Sequence, residues 1–438
     1  GGSHAARSRA AATLWMRGVV AGETGRDGAP LVVVIVGCAL GLPHGMAATS
    51  RVKLFSRALA DAGDTVRVML TTVTERPPDV LNTESRGVVD GIPFEYTTGT
   101  TVRARTFLGR RSAEVRGVAV AIVRLVALRR GRRRLVVLAF IRTTKWSPRY
   151  VTLTTAARAL GIPVVLEFCE LPWTLMADRR PWEALWSPLA LTSGAITISS
   201  YLTRWTNAEY ASRHSTARAT EVPILVDVDE VRPSPYPRAR STALYCAGPG
   251  YDESLAFVLE AMRCVWLRQP QCQLVVTGIA PHELGRHLSE WGLSQAEAGR
   301  VLAVGRVSRD ALLQLYSDAS VCLAPLFDDR RSTARFPTKI AEYAAAARPV
   351  VTSSVGEARR YLQDGATAFL AEPGDAAAFG GKIIEALSDP ELAAAVGIAA
   401  RELAERLFDY RVHAASLHEA LASALACASS HAQGCRHA

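Results

Sequence analysis

From Leu31 the chain alternates short, uninterrupted apolar runs with stretches whose apolar residues recur at three- and four-residue spacing. The run Leu31 to Val36 has the pattern of a parallel strand covered on both faces. It ends in Gly37, and a helix is predicted next, with Val52, Phe55, Leu59 and Ala62 on one face and Gly63 at its C-terminal cap. Further strands are predicted at Thr65 to Leu70, Val88 to Tyr96, Leu135 to Ile141, Pro163 to Phe168 and Ala195 to Ser199, with helical stretches between them. This repeated order argues for a doubly wound α/β domain.

The pattern breaks at Pro223 to Arg240, where Pro223, Pro233, Pro235 and Pro237 mark a linker. A second series follows, with strands predicted at Ala243 to Ala247, Gln273 to Thr277, Arg300 to Val304, Ser320 to Ala324, Pro349 to Thr352 and Thr367 to Ala371. Helices at Pro390 to Arg406 and Arg411 to Leu425 close the chain. The expected fold class is α/β, with two doubly wound Rossmann-like domains facing a central cleft, where strand C-terminal ends place ligands. The expected divisions are a tag-derived or disordered extension (1–29), a first domain (30–222), a linker (223–240), a second domain (241–410) and a C-terminal helix and tail (411–438).

Composition changes this picture in one respect. The 438 residues carry 51 Lys+Arg and 41 Asp+Glu, a net charge of +10. Residues 101–160 hold fifteen of the basic residues and one acidic residue, Glu114, so this segment is at +14 and the rest of the chain at −4. The 49% hydrophobic and 21% charged fractions exclude a disordered or collagen-like chain. The eight cysteines show no Cys-x-x-Cys pair and read as reduced thiols, which suggests a cytoplasmic setting. No run approaches the roughly eighteen apolar residues of a membrane span.

Two glycine-rich loops follow first strands. One is Gly37-Cys38-Ala39-Leu40-Gly41-Leu42-Pro43-His44-Gly45; the other is Gly248-Pro249-Gly250. Glycine lets a ligand approach the backbone, and a following helix N-terminus favours an anion. Near the second series, Arg330, Arg331, Arg335 and Lys339 gather on a loop and the first turn of a helix, with Glu342 one turn on. Cations at a helix N-terminus oppose its dipole unless an anion such as a diphosphate completes the site. Glu342 could accept hydrogen bonds from a ribose diol. A solvated basic loop with a Lys339–Glu342 helix pair is the competing reading.

The run Arg335-Phe336-Pro337-Thr338-Lys339-Ile340-Ala341-Glu342-Tyr343-Ala344, with Arg348-Pro349-Val350-Val351 after it, resembles the nucleotide-sugar site of family-4 retaining glycosyltransferases, which have the two-domain GT-B fold. Gly45-Met46-Ala47-Ala48-Thr49-Ser50-Arg51, Ile196-Thr197-Ile198-Ser199, Val222-Pro223-Ile224-Leu225-Val226-Asp227, Asp364-Gly365 and Pro373-Gly374-Asp375 fall in the family's order. Ala334 stands where the family has the first of two glutamates, and Tyr251-Asp252-Glu253-Ser254 where it has Lys-Gly. The resemblance implies transfer of a sugar from a nucleoside diphosphate sugar with retained configuration. The leaving phosphate would take the acceptor proton, with no cofactor and no metal. The Asp328-Asp329 pair reads as a salt-bridged loop rather than a metal site. The residues implied for catalysis are Arg335, Lys339 and Glu342. Those implied for the donor are Gly45, Gly248, Gly250, Arg331, Pro337 and Thr338. The C-terminal helix would return to the first domain. A sugar-nucleotide epimerase or a silent homologue is the alternative within this fold.

For the acceptor, His44, Glu167, Glu170 and Trp173 are the candidates. Trp146, Trp173, Trp182, Trp186 and Trp205 cluster in the first domain, and carboxylates beside aromatic faces suit a small, soluble, cationic acceptor. Helix packing by these tryptophans and an exposed loop position for His44 are the plainer readings. Nucleic acid is not an expected partner, because no recognition motif accompanies the charge. Residues 116–134 form an arginine-rich stretch, with Val118, Ile122, Leu125 and Val126 as its apolar side. It is either a solvated helix or a peripheral contact with the inner membrane face, which would favour a lipid or cell-surface acceptor.

Overall fold

The computed structural model describes residues 29–434, except 39, 79, 132–133, 142–146, 176–186, 238–240 and 249–251. The N-terminal extension, Gly250, Trp146, Trp182 and Trp186 therefore lie outside the described residues. The chain forms two compact units, residues 1–222 with 413–438, and residues 223–412.

The first unit is built on β1 (Val32–Gly37), β2 (Thr65–Leu70), β3 (Arg86–Val89), β4 (Ile92–Tyr96), β5 (Leu135–Phe140), β6 (Val164–Phe168), β7 (Gly194–Thr197) and β8 (Ala219–Glu221). They lie in the order β3-β4-β2-β1-β5-β6-β7-β8, and all neighbours are parallel except β3 and β4. Connecting helices are α1 (Ala47–Asp61), α2 (Phe107–Gly131), α3 (Pro148–Ala159) and α4 (Ser200–Ser212). Val33, Val34, Ile35 and Val36 are fully buried, which accounts for the unbroken apolar run of β1. The single strand predicted over Val88 to Tyr96 is instead a hairpin. Asp90 and Gly91 both take positive φ (50° and 77°), the turn conformation that a two-residue Asp-Gly connection favours.

The second unit carries β9 (Thr242–Cys246), β10 (Gln273–Thr277), β11 (Val301–Gly305), β12 (Val321–Ala324), β13 (Val350–Ser353) and β14 (Phe369–Ala371). Every neighbouring pair is parallel, in the order β11-β10-β9-β12-β13-β14. Numbered from β9, this is the doubly wound order 3-2-1-4-5-6, whose crevice opens where β9 and β12 diverge. Its helices are α5 (Asp252–Arg268), α6 (Pro281–Glu290), α7 (Gln295–Ala298), α8 (Arg309–Asp318), α9 (Arg330–Ala334), α10 (Thr338–Ala345), α11 (Gly356–Tyr361), α12 (Ala376–Ser388) and α13 (Pro390–Leu407). The final helix, α14 (Ala414–Gly434), belongs to the first unit and packs on α1 and β7. There His418 Nδ1 lies 3.0 Å from the buried Asp64 carboxylate.

The proline-rich segment after Pro223 is fixed within the second unit. Val226 donates to Phe408 O (2.8 Å) and accepts from Tyr410 N–H (3.1 Å). Arg348, fully buried, donates to the carbonyls of Ser234, Pro235, Tyr316 and Ser317 at 2.8 to 3.1 Å. A buried guanidinium must have its donors met. Prolines interrupt the regular pairing of this segment and leave carbonyls to meet them. The Arg348-Pro349 step of the sequence motif is therefore architectural.

Close packing of α13 on α10 sets one clear constraint. A Cβ at Gly397 would lie 2.4 Å from the Ala347 carbonyl oxygen. Gly397→Ala is expected to destabilise the second unit by about 1–3 kcal/mol, the usual cost of overpacking. A melting experiment that shows an unchanged midpoint would contradict this.

Candidate functional site

In the second unit, the C-terminal end of β9 and the start of α10 meet at the point where strand order reverses. Lys339 occupies the first turn of α10, and its Nζ donates to the carbonyl of Cys246, the last residue of β9, at 2.9 Å. Its ammonium also stands 4.7 Å from the centroid of the Tyr245 ring. Burial lowers the Lys339 pKa to about 8, and nearby Arg335 adds to the effect. The cation is thus held in a place that disfavours its charge, beside Ala247 and Gly248. Pro337 is the N-cap of α10 and Thr338 its first residue, so this end of the helix has no side-chain cap. Unmatched N–H groups there favour an anion.

Arg331 is exposed on α9, and Arg335 follows that helix, half-buried. Asp329 does not form the expected salt-bridged loop. It caps α9 by accepting from Ser332 N–H. Glu342 accepts from Arg309 Nη1 (2.6 Å) through one oxygen and from the Tyr316 hydroxyl (2.8 Å) through the other. Lys339 and Glu342 therefore point to different partners, which sets aside the solvated helix-pair reading. Arg309 and Tyr316 went unnoticed in the sequence, where neither stands in a motif. Gly278 also escaped notice. Its φ is +81°, and a Cβ there would come 2.3 Å from Ala247 O, so glycine lets β10 turn beside the β9 loop. A glycine directly after an apolar strand run was the available signal.

In the first unit, the loop Gly41 to Gly45 is held from below. Asn82 accepts from His44 N–H (2.8 Å) and donates to His44 O (2.9 Å), gripping that residue's backbone. The Asn82 amide also donates to Glu75 Oε1 at 2.6 Å. Partial burial of Glu75 raises its pKa, but hydrogen bonds from Asn82, Leu81 and Thr74 outweigh this and bring it below the ordinary value. The Tyr96 hydroxyl meets both Leu42 N–H (2.9 Å) and Leu42 O (3.2 Å), and Thr49 Oγ1 donates to Gly41 O. His44 and Gly45 remain exposed on this braced loop, ahead of the uncapped N-terminus of α1.

The acceptor candidates are placed less uniformly. Glu167 is buried and ion-paired with Arg51 at 2.7 Å, with side-chain exposures of 2% and 3%. Arg51 also donates to Val222 O and stacks over Phe55. The expectation that Glu167 meets a cationic acceptor is therefore corrected: its charge is matched inside the protein. Glu170 is half-buried just past β6, and Trp173 opens a short 3-10 helix (Trp173–Leu175). Trp205 packs edge-on against Phe168, the packing role that was the plainer reading for the tryptophans.

Comparison with known proteins is consistent with this geometry. Residues 241–389 match the family model "Glycosyl transferases group 1". The matched stretch lies within the second unit, which is similar to a group 1 glycosyltransferase domain. The chain is 28% identical over 245 residues to a phosphatidyl-myo-inositol mannosyltransferase of Mycobacterium leprae, spanning 54% of this chain and 59% of that protein, less than two thirds of its length. It is 25% identical over 276 residues to a GDP-mannose-dependent alpha-(1-6)-phosphatidylinositol monomannoside mannosyltransferase of Mycolicibacterium smegmatis, covering 56% and 69%. Among solved structures, sucrose-phosphate synthase of Thermosynechococcus elongatus aligns over 89% of this chain and 98% of its own, with TM-score 0.65 and 18% identity. The Anabaena Alr3699/HepE protein in complex with UDP-glucose aligns over 89% and 99%, with TM-score 0.59 and 16% identity. These neighbours establish the GT-B fold, two Rossmann-like domains, with the family match falling in the second.

Removing the Asn82 grip tests the bracing of the first-unit loop. Asn82→Ala removes both side-chain hydrogen bonds to the His44 backbone and one of several to Glu75, and is expected to cost about 1–3 kcal/mol. Amide hydrogen exchange over residues 41–48 should accelerate more than exchange in β1. Equal protection of both segments in wild type and variant would show that the loop does not depend on Asn82.

Proposed function

We propose that this chain is a retaining glycosyltransferase that uses a nucleoside diphosphate sugar, with Lys339, Arg335 and Glu342 at the centre of its donor site. The observation that carries the reading is the Lys339 ammonium, held on the last carbonyl of β9 with its pKa lowered. An incoming diphosphate would supply the counter-charge this cation lacks. Arg335 and Arg331 would add charge, and the α10 N-terminus would add N–H donors. Gly248 and Gly250 would let the donor approach the backbone, beside Pro337 and Thr338, and Glu342 would take the ribose hydroxyls. In the first unit, the exposed His44 on its braced loop would be available to an acceptor. In the reaction the bond from the anomeric carbon to the diphosphate oxygen breaks. The acceptor oxygen bonds to that carbon on the same face, and its proton passes to the departing phosphate. Stabilising the charge that grows on the leaving group is the protein's main task. No metal or other cofactor is part of this scheme.

Thermal shift with UDP, GDP and TDP and their sugars tests the donor site, because a ligand that binds the folded state raises its midpoint. Lys339→Met should abolish the shift. The pH dependence has a definite sign. Lysine in an unfolded chain keeps its proton to about pH 10.4. Here it is lost near 8, so in the absence of ligand the Lys339 contribution makes stability rise with pH between those values. A diphosphate favours the protonated form, so its affinity should fall by roughly tenfold from pH 7.5 to 9.5. Affinity that is flat across this range, together with an unchanged shift for Lys339→Met, would refute the assignment.

The acceptor reading moves with the structure. With Glu167 matched by Arg51, a soluble cationic acceptor rests on Glu170 and Trp173 alone. The alternative, an acceptor carried at an anionic membrane surface, is supported by α2. That helix spans Phe107–Gly131 and buries Gly117, Ala121 and Leu125, but its outer face is apolar as well. Phe107, Leu108, Val115 and Val123 are 60%, 77%, 71% and 63% exposed, and Arg103, Arg105, Arg111, Arg116 and Arg130 are exposed along the segment. Large apolar side chains among cations suit the headgroup region of an anionic bilayer. Among the described residues no helix is long and apolar enough to cross a membrane. Peripheral contact with the inner membrane face through α2 is the reading these residues support.

Both valines are exposed, so Val115→Asp with Val123→Asp should leave stability within about 1 kcal/mol. Wild type should sediment with vesicles containing phosphatidylserine or phosphatidylglycerol and stay in solution with neutral ones, and the double variant should stay in solution with both. Identical sedimentation of the two proteins would remove this reading and return the acceptor to solution.

A further inference from the structure

Arg309 is a cation in a place that helix physics does not favour. It is the first residue of α8, directly after the Ser308 cap, where the helix dipole is positive. Its guanidinium is held in a fork by Glu230, with Nε to Oε1 and Nη2 to Oε2 both at 3.0 Å. The remaining nitrogen, Nη1, reaches Glu342 Oε1 at 2.6 Å. Glu230 lies in the segment that follows Pro223, while Glu342 lies one turn after Lys339 on α10. One side chain therefore ties the entry segment of the second unit to the carboxylate of the donor site. Burial opposes the charge on Arg309, but Glu342 and Glu230 outweigh it and raise its pKa above the ordinary arginine value.

The consequence for Glu342 is geometric. An ionised carboxylate has about four acceptor positions. Arg309 takes one on Oε1 and Tyr316, itself buried, takes one on Oε2. The carboxylate is fixed in one orientation with one position left on each oxygen, and the Glu342 side chain keeps 16% of its surface exposed. Two neighbouring acceptor positions, fixed and partly open, match a cis-diol.

We propose that Arg309, clasped by Glu230, is a positioning residue that orients Glu342 for the 2′- and 3′-hydroxyls of the donor, and so makes the site selective for ribonucleotides over 2′-deoxyribonucleotides. This rests on the reading of Glu342 as the ribose contact, which the test below separates from the role of Arg309.

The test is calorimetric titration of the full chain with UDP and GDP, each beside its 2′-deoxy analogue. Wild type, Arg309→Ala, Arg309→Lys, Glu230→Gln and Glu342→Gln are compared, with a melting curve for each. Hydrogen bonds to a charged group are worth enough for wild type to prefer the ribonucleotide by roughly tenfold or more. In Arg309→Ala, affinity for the ribonucleotide should fall by at least that factor, while the 2′-deoxy analogue, which has only its 3′-hydroxyl to lose, should weaken several-fold less, so that the preference shrinks. Arg309→Lys, which keeps the charge but not the fork, should fall between. It also gives the same information if the alanine variant does not fold. Glu230→Gln should shift the preference in the same direction but less. If Arg309→Ala weakens both nucleotides equally, Arg309 is only structural and the proposal is wrong. The proposal is equally wrong if the preference survives in Arg309→Ala but is lost in Glu342→Gln. If wild type shows no preference, or Glu342→Gln keeps it, the ribose contact itself is elsewhere and the reading beneath the proposal fails.

Discussion

The contact between the Lys339 ammonium and the Cys246 carbonyl organises the second unit. An ammonium has three donors, and here one meets a backbone oxygen while the Tyr245 ring lies close by. The strand order fixes where this happens, because β9 is the central strand at which the sheet reverses its direction of growth. The fold brings the cation, the end of β9 and the uncapped helix end to one point. Burial lowers the lysine pKa there because a single carbonyl does not replace the lost water. In the proposed donor site, the diphosphate would add the negative charge that this cation can meet.

The other buried charges show what a completed arrangement looks like. Arg348 has carbonyls on every side, Arg51 and Glu167 neutralise each other, and Glu95 is shared by Arg86 and Arg124. Breaking such a set leaves an uncompensated buried charge, which makes these groups architectural. Lys339 and Glu342 differ in degree rather than kind. Each has fewer partners than its chemistry allows, and each lies at the edge of the interior. In the proposed donor site, these unfilled positions are the ones a ligand would take.

Much of the architecture was legible in the sequence, because parallel strands buried on both faces must be continuously apolar. Two features were not. The Asp90-Gly91 turn lies inside an apolar stretch, so the run of β-formers from Val88 to Tyr96 concealed a hairpin that its dipeptide could have shown. On α2, the three- and four-residue spacing picked out Val118, Ile122, Leu125 and Val126, yet Ala121 and Leu125 face inward while Val115 and Val123 face out. Spacing cannot choose the inner side of a helix whose apolar residues lie on both faces. At the site, the motif from Arg335 to Glu342 was visible because its residues are adjacent in the chain. Asn82, Arg309 and Glu230 act on it or on the first-unit loop from 30 or more positions away, and nothing local marks them. Glu167 was visible but misread, since its partner lies 116 residues earlier.

The uneven charge of the chain is best understood through the same distinction. Arg124 pairs with Glu95 and Arg129 donates to Leu160 O, so part of the +14 segment is internal structure. The arginines that remain exposed flank the outward apolar face of α2. A helix that needed only solubility would carry polar residues where Leu108, Val115, Ala119 and Val123 stand, at spacings of seven, four and four. Charge alone on that helix would suggest a solvated surface, and apolar residues alone would suggest a missing packing partner. Their combination on one face is what the proposed membrane contact rests on, since a bilayer headgroup layer is both anionic and apolar at the same depth.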